Sequence, residues 1–229
     1  MMSVEEAIVG RQCTREFQND KPVPQETIER ILKIAGRTPS GSNIQPWKVW
    51  VATGAARDAI TEACHKRHMA GDPSGREFKY YPVDWREPYI NRRRENGWGL
   101  YGLLGIEKAD KEAMKIQHGR NFLLFDAPVG LFFTIDRSLE TGSWLDIGMF
   151  IQSVMLAARG EGLATCPQAA FCHFHDTVTK LLGVPDDQML LCGMSLGYPL
   201  PGSRVNGYRT TRVETSEFTT FVDKPATQM

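Results

Sequence analysis

The stretch 144–160 constrains the fold of this chain more than any other. Read as a helix, it puts Leu145, Met149, Gln152, Met155 and Leu156 on one face and Ile147, Ile151 and Val154 on others. A helix that is apolar nearly all round must be covered on more than one side, so it has to lie between a sheet and a second surface. Ser143, with Asp146 three residues on, reads as an N-cap in a Ser-x-x-Asp variant of the capping box. The sheet comes from 128–135, a short, almost unbroken run of Val, Leu, Phe and Ile that fits a central strand buried on both faces. Residues 189–195 read as a second inner strand.

The other elements fit around this pair. Ile28, Ile31, Leu32 and Ala35 form one apolar stripe over 24–35, with Pro24 suited to a first helical turn. A polar, breaker-rich loop at 38–46 leads into 47–52, where Trp47, Val49 and Val51 alternate as in a strand. Residues 55–68 and 177–182 read as helices. Residues 69–106 hold Gly, Pro, Tyr, Trp and the run Arg92-Arg93-Arg94 without sustained periodicity, and read as an insertion or lid. The tail, about 204–229, ends in a β-branched and aromatic stretch at 217–222, which reads as a strand that would pair with another chain. Nothing in 1–229 repeats, and its length suits a single domain.

Composition narrows the function. Lys plus Arg and Asp plus Glu number 27 each, so no global field attracts nucleic acid or an anionic membrane, and any anion site must be local. No run is long enough to span a bilayer, and the first residues lack a basic-then-apolar leader, which points to the cytoplasm. Five scattered cysteines without a CxxC pair suit reduced thiols. Cys166, Cys172, His173 and His175 carry metal-binding atoms, but they run straight into a helix and have no second ligand pair at finger or ribbon spacing. No metal site is expected. No motif of a Cys-His hydrolase is present either.

Three constellations remain. In an extended segment Arg11, Cys13 and Arg15 point to one side, so two guanidinium forks could converge on a phosphate; two surface arginines are the plainer reading. The loop Pro39-Ser40-Gly41-Ser42-Asn43-Ile44-Gln45-Pro46-Trp47 offers donors and acceptors around a glycine, either as a ligand loop or as a capped helix-to-strand turn. The stretch 160–170 ends the long helix with glycine and then runs through small residues, which could lie flat against a planar ring or simply form an edge strand.

Together, Arg-x-Cys-x-Arg-x-Phe at 11–17, Pro-Ser-Gly-x-Asn-x-Gln-Pro-Trp at 39–47, the Gly-x-Gly-Leu exit at 160–163 with Pro167, Gly197-Tyr198-Pro199 and a late Arg make the chain similar to the FMN-dependent nitroreductase family. The resemblance covers about the whole chain, least closely at 69–106. Within that part, Arg86-Glu87-Pro88-Tyr89, the Arg92–Arg94 run and Gly99-Leu100-Tyr101 resemble a branch with nitroaromatic and nitrobenzoate reductases.

The resemblance implies an α+β fold in which a mostly antiparallel sheet of four or five strands is flanked by helices. It implies an interlocked homodimer with exchanged C-terminal arms, and an enzyme that passes hydride from NAD(P)H through FMN to small electron-poor aromatics. The same fold also serves quinone or enone reduction, dehalogenation, flavin fragmentation or plain flavin binding. Arg11 and Arg15 would hold the FMN phosphate with Arg212, or with Arg209 in its place. Gln12 and Cys13 would add backbone atoms, Cys13 standing where many relatives have Ser. Pro39, Ser40, Gly41 and Asn43 would reach the partner's flavin. Pro167, Gln168, Ala169 and Ala170 would line the isoalloxazine, one backbone N–H pointing to N5, although many relatives have Glu-Gly where this chain has Ala169-Ala170. If 69–106 is the lid, Trp85, Tyr89, Trp98 and Tyr101 shape the substrate side. One of its arginines, Arg93 or else Arg76, Arg86, Arg92 or Arg94, would pair with an anionic substituent or a cofactor phosphate, favouring nitroaromatics with a carboxylate.

Overall fold

The computed structural model describes residues 2–225. Its four strands, β1 (Lys48–Thr53), β2 (Val129–Asp136), β3 (Ala164–Gln168) and β4 (Gln188–Gly197), form one antiparallel sheet in the order β1-β2-β4-β3. Alternation along β2 explains its unbroken apolar run. Phe132 faces one core with Phe122, Phe171 and Phe174, while Leu131 and Phe133 face another with Phe150 and Val154. The first core is closed by α3 (Gly54–Ala70), α7 (His175–Leu182) and two 3-10 segments, Arg120–Asp126 and Ala169–Phe174. The second is closed by α2 (Gln25–Ala35) and α6 (Thr141–Gly160). The α+β expectation therefore holds, with β2 inside the sheet.

Helix α6 starts earlier than the capping reading places it. Its N-cap is Glu140, and Ser143 is a buried residue within the first turn, donating its N–H to the Glu140 carbonyl at 2.9 Å. The reason is that Asp146 is engaged elsewhere: both its carboxylate oxygens lie 3.3 Å from the Gly41 N–H, so the pair cannot close a capping box. Along α6, Ile147, Phe150, Val154, Met155 and Ala158 are buried, whereas Leu145 is 74% exposed and Met149 43%. One apolar face of this helix is thus left uncovered within the chain.

Two further readings are corrected. Residues 69–106 are not irregular throughout: α4 (Tyr89–Leu104) is a 16-residue helix, followed by α5 (Lys111–Gly119). No apolar stripe betrayed α4 because it buries no residue in either core. Its partner is the C-terminal arm. Tyr208 donates its hydroxyl to the Asn96 carbonyl at 3.0 Å, Thr211 bonds Glu95 at 2.9 Å, and a Cβ at Gly99 would collide with the Tyr208 ring. The second correction concerns 217–222, where Glu217 and Phe218 close a helical turn, α8 (Thr215–Phe218), instead of opening a strand, while 219–222 pair with no strand of this chain. Residues 226–229 of the arm lie outside the described residues.

Candidate active site

The N-terminal segment after α1 (Val4–Gly10) is laid against the sheet edge. Cys13 bridges Thr165 of β3 in parallel fashion, and the Thr14 N–H donates to the Thr165 carbonyl at 3.1 Å. The Asn206 side chain clamps the other side of the segment. Its oxygen accepts from the N–H groups of Arg15 (2.8 Å) and Glu16 (3.1 Å), and its amide donates to the Glu16 carbonyl at 2.8 Å. Two distant parts of the sequence thereby meet. A cavity of about 570 Å³ is lined by Arg11, Gln12, Cys13 and Arg15 from one end of the chain and by Arg209 and Arg212 from the other. Both candidates for the third phosphate contact line it.

Among the described residues no Asp or Glu lines this cavity. Among the described residues Arg15 donates only to the Cys13 carbonyl, at 3.2 Å, and Arg209 only to the Gly10 carbonyl, at 3.4 Å, so neither is paired with a carboxylate. The Gln12 side-chain oxygen is buried without a partner among the described residues. A hydrogen bond from the Cys166 thiol, helped by the Arg15 and Arg11 charges and opposed by burial, holds the Cys13 thiol well below the usual thiol range. All this describes a site short of one anion.

From Thr165, β3 runs to Gln168 and then into the turn Ala169–Phe174. That places Gln168 about 10 Å along the strand from Thr165, at ~3.3 Å per residue, with Pro167 just before it and Ala169 and Ala170 in the turn beyond. These four residues line a second cavity of about 610 Å³ together with Arg76, Tyr80, Tyr81 and Arg93. The Gln168 side chain faces inward, accepting from Ser195 at 2.6 Å and donating to the Asn121 carbonyl at 2.6 Å. Only its backbone is left for a ligand.

The loop Pro39–Asn43 joins neither cavity. It is fixed on α6 by Asp146 and by Thr38, whose hydroxyl lies 2.7 Å from that of Ser153, while Trp47 stacks on Phe150 with ring centroids 4.7 Å apart. Ser42, Asn43 and Gln45 have φ of 49°, 58° and 49°, a cluster of left-handed non-glycine residues of the kind that costs about 1–3 kcal/mol each and gathers at ligand clamps. The arginine run is fanned out by the ~100° per residue of α4. Arg93 enters the second cavity, whereas Arg92 lies 3.6 Å from Glu217 of the arm. Trp98 and Tyr101 contact each other at 5.8 Å between centroids, with Lys108 over Trp98, and neither lines the two cavities. Sequence reasoning passed over Asn206, although Asn-Gly at 206–207 is a strong turn signal. Arg76 stands in the sequence only as one of five arginines in 69–106, and His173 only as a possible metal ligand.

Volume alone does not choose between cavities. One of about 830 Å³ between α2, β1 and α3 is larger, but Arg57 in its wall is already paired with Asp58 at 2.7 Å. Among the described residues no group of three His, Cys, Asp or Glu side chains is placed to hold a metal ion, and no helix is long and apolar enough to cross a membrane.

A family model, "Nitroreductase family", matches residues 8–198. The chain belongs to this family. It is 42% identical over 221 residues to a chloronitrobenzene nitroreductase of Comamonas testosteroni, covering 96% of each chain. A 4-nitrobenzoate reductase of Pseudomonas putida is 40% identical, with 94% of this chain and 93% of the relative covered. The crystal structure of the FMN-dependent nitroreductase NfnB from Mycobacterium smegmatis in complex with NADPH superposes with a TM-score of 0.90 at 35% identity, covering 95% of this chain and 97% of that one.

Proposed function

We propose that this nitroreductase is an FMN-dependent enzyme that uses NAD(P)H to reduce small nitroaromatic compounds. The observation that carries the reading is the pair of carboxylate-free, cation-lined cavities joined by β3 in a chain whose charges cancel. The residues present fit FMN. Arg11 and Arg15, with Arg209 and Arg212, would hold the phosphate, and Gln12 and Cys13 would border it. Pro167 to Ala170 would lie along the ring system, where small side chains let backbone approach a flat surface closely. FMN held there would supply the hydride chemistry between nicotinamide and acceptor. The chain orients the ligands, sets arginines around them, and needs no side-chain acid, since water can supply protons.

The reading includes a homodimer. Leu145 and Met149 on α6, Val4 and Val9 on α1, and Phe218, Phe221 and Val222 on the arm expose apolar surface that a second copy would cover. The loop Pro39–Asn43, remote from its own chain's cavities, would then contact the partner's flavin, with residues 69–106 as the lid over the substrate side. Sedimentation tests this: the flavin-loaded protein is expected as a dimer, and Leu145→Glu with Met149→Glu is expected to give monomers that lose FMN. A monomeric wild type that keeps its flavin would refute the shared site.

A further inference from the structure

The first half of 69–106 does not hang free over the sheet. The Gly75 N–H donates to the His173 carbonyl at 2.9 Å, and Glu77 bridges Arg137 at 2.6 Å and His175 at 3.2 Å. Phe78 packs edge-on against Trp144, centroids 4.9 Å apart. This clamp delivers Arg76 to the wall of the cavity lined by Pro167 to Ala170. There Arg76 Nη2 donates to the Ala169 carbonyl at 3.3 Å and lies 2.7 Å from His173 Nε2.

Burial, reinforced by the Arg76 charge, lowers His173 to about 4, so its imidazole is neutral near pH 7 and Nε2 can accept from the guanidinium. The guanidinium also sits over the Tyr80 ring, 5.3 Å from its centroid. With Nη2 so fixed, Nη1 has no hydrogen bond among the described residues. Lys79 and Arg93 add two cations to the same wall, Arg93 being held 4.9 Å from the Trp85 ring centroid. Phe78, Tyr80 and Tyr81 supply rings, no Asp or Glu lines the cavity, and the adjacent carboxylate, Glu77, is already paired. A flat ligand with a negative group finds here both stacking surface and an oriented, unneutralised cation.

We propose that Arg76, oriented by His173, is a specificity-determining residue that takes the anionic group of a planar ligand above the flavin: the carboxylate of an acceptor, or the 2′-phosphate of NADPH. The inference rests on the flavin reading of the same cavity. Lys79 and Arg93 support the field, but among the described residues only Arg76 is fixed against the turn that follows β3.

The test compares flavin-loaded wild type with Arg76→Gln, using 4-nitrobenzoate and nitrobenzene as acceptors and NADPH and NADH as donors. A lost charge-assisted contact predicts that the nitrobenzoate-to-nitrobenzene ratio of kcat/KM falls about tenfold or more, through KM. A fall confined to the NADPH-to-NADH ratio assigns the anion to the donor's phosphate and keeps the site. Both ratios unchanged in a variant that retains flavin overturn the proposal. His173→Gln, which keeps a neutral acceptor, is expected to preserve the affected ratio, and His173→Leu to lose it through KM. Should Arg76→Gln shed its flavin, wild type decides. With nitrobenzene as acceptor and each nicotinamide varied in turn, benzoate inhibiting at about tenfold lower concentration than benzamide, or KM about tenfold lower for NADPH than for NADH, supports an anion site, and neither difference overturns it. Failure of the underlying flavin reading looks different: no yellow protein, or no bleaching by either nicotinamide.

Discussion

The two cationic cavities hold their charge in different ways. Around Arg11 and Arg15, four arginines from opposite ends of the sequence meet, and those with hydrogen bonds spend them on neutral groups of the backbone or of Thr210. Around Arg76 each arginine is backed by a ring, and one is fixed by a neutral imidazole. The first arrangement suits a compact dianion that several forks can share. The second suits a flat ligand bearing one negative group. Redundancy should make the first tolerant of single changes at its exposed arginines, whereas the second should hinge on one residue.

That contrast is broken most forcefully by removing Arg11 and Arg15 together. Each charge-assisted contact contributes about 1.5–3 kcal/mol, so FMN affinity is expected to fall at least about a hundredfold in the double alanine variant, read by fluorescence titration. Arg209→Ala or Arg212→Ala alone is expected to cost about tenfold or less, because both are exposed and screened by solvent. An equal, total loss from every single variant would remove the case for redundancy.

A smaller effect is expected from Asn206→Ala, which leaves the Arg15 and Glu16 N–H groups without their acceptor. Unpaired, partly buried donors cost about 1–3 kcal/mol, so the variant should unfold at lower denaturant and bind FMN more weakly, while Arg76-dependent selectivity is kept. The smallest effect concerns Cys13. Its depressed pKa makes it increasingly thiolate as pH rises, and a thiolate opposes a phosphate dianion. FMN affinity should therefore decline between pH 7 and 8.5, where the phosphate itself no longer titrates, by at most about tenfold per pH unit. Cys13→Ser should flatten the decline, and an unchanged slope in that variant would assign it to another group.

How much was legible in the sequence follows from what each element packs against. The strand β2 and helix α6 bury apolar side chains at periods the sequence carries openly. Helix α4 has no such period, because its partner is an arm attached through Tyr208 to a glycine-cleared surface. The start of α6 was misread because Asp146, a good capping residue locally, bonds Gly41 more than a hundred positions away. Arg11, Arg15 and the small-residue stretch after Pro167 were visible as motifs. Arg76 was visible only as one of five arginines in 69–106, since nothing local sets it apart; the docking of Gly75, Glu77 and Phe78 brings it to the cavity. The stretch 219–222 has strand-like composition but no partner strand within its own chain, and composition does not name the neighbour.

The central claim is tested most directly by one anaerobic titration. Protein reconstituted with FMN and separated from free flavin should be yellow with about one flavin per chain, bleach on addition of NADPH or NADH, and regain its colour when a nitroaromatic is added. Protein that retains no flavin, or whose flavin neither bleaches with nicotinamide nor recovers with the nitroaromatic, would contradict the account.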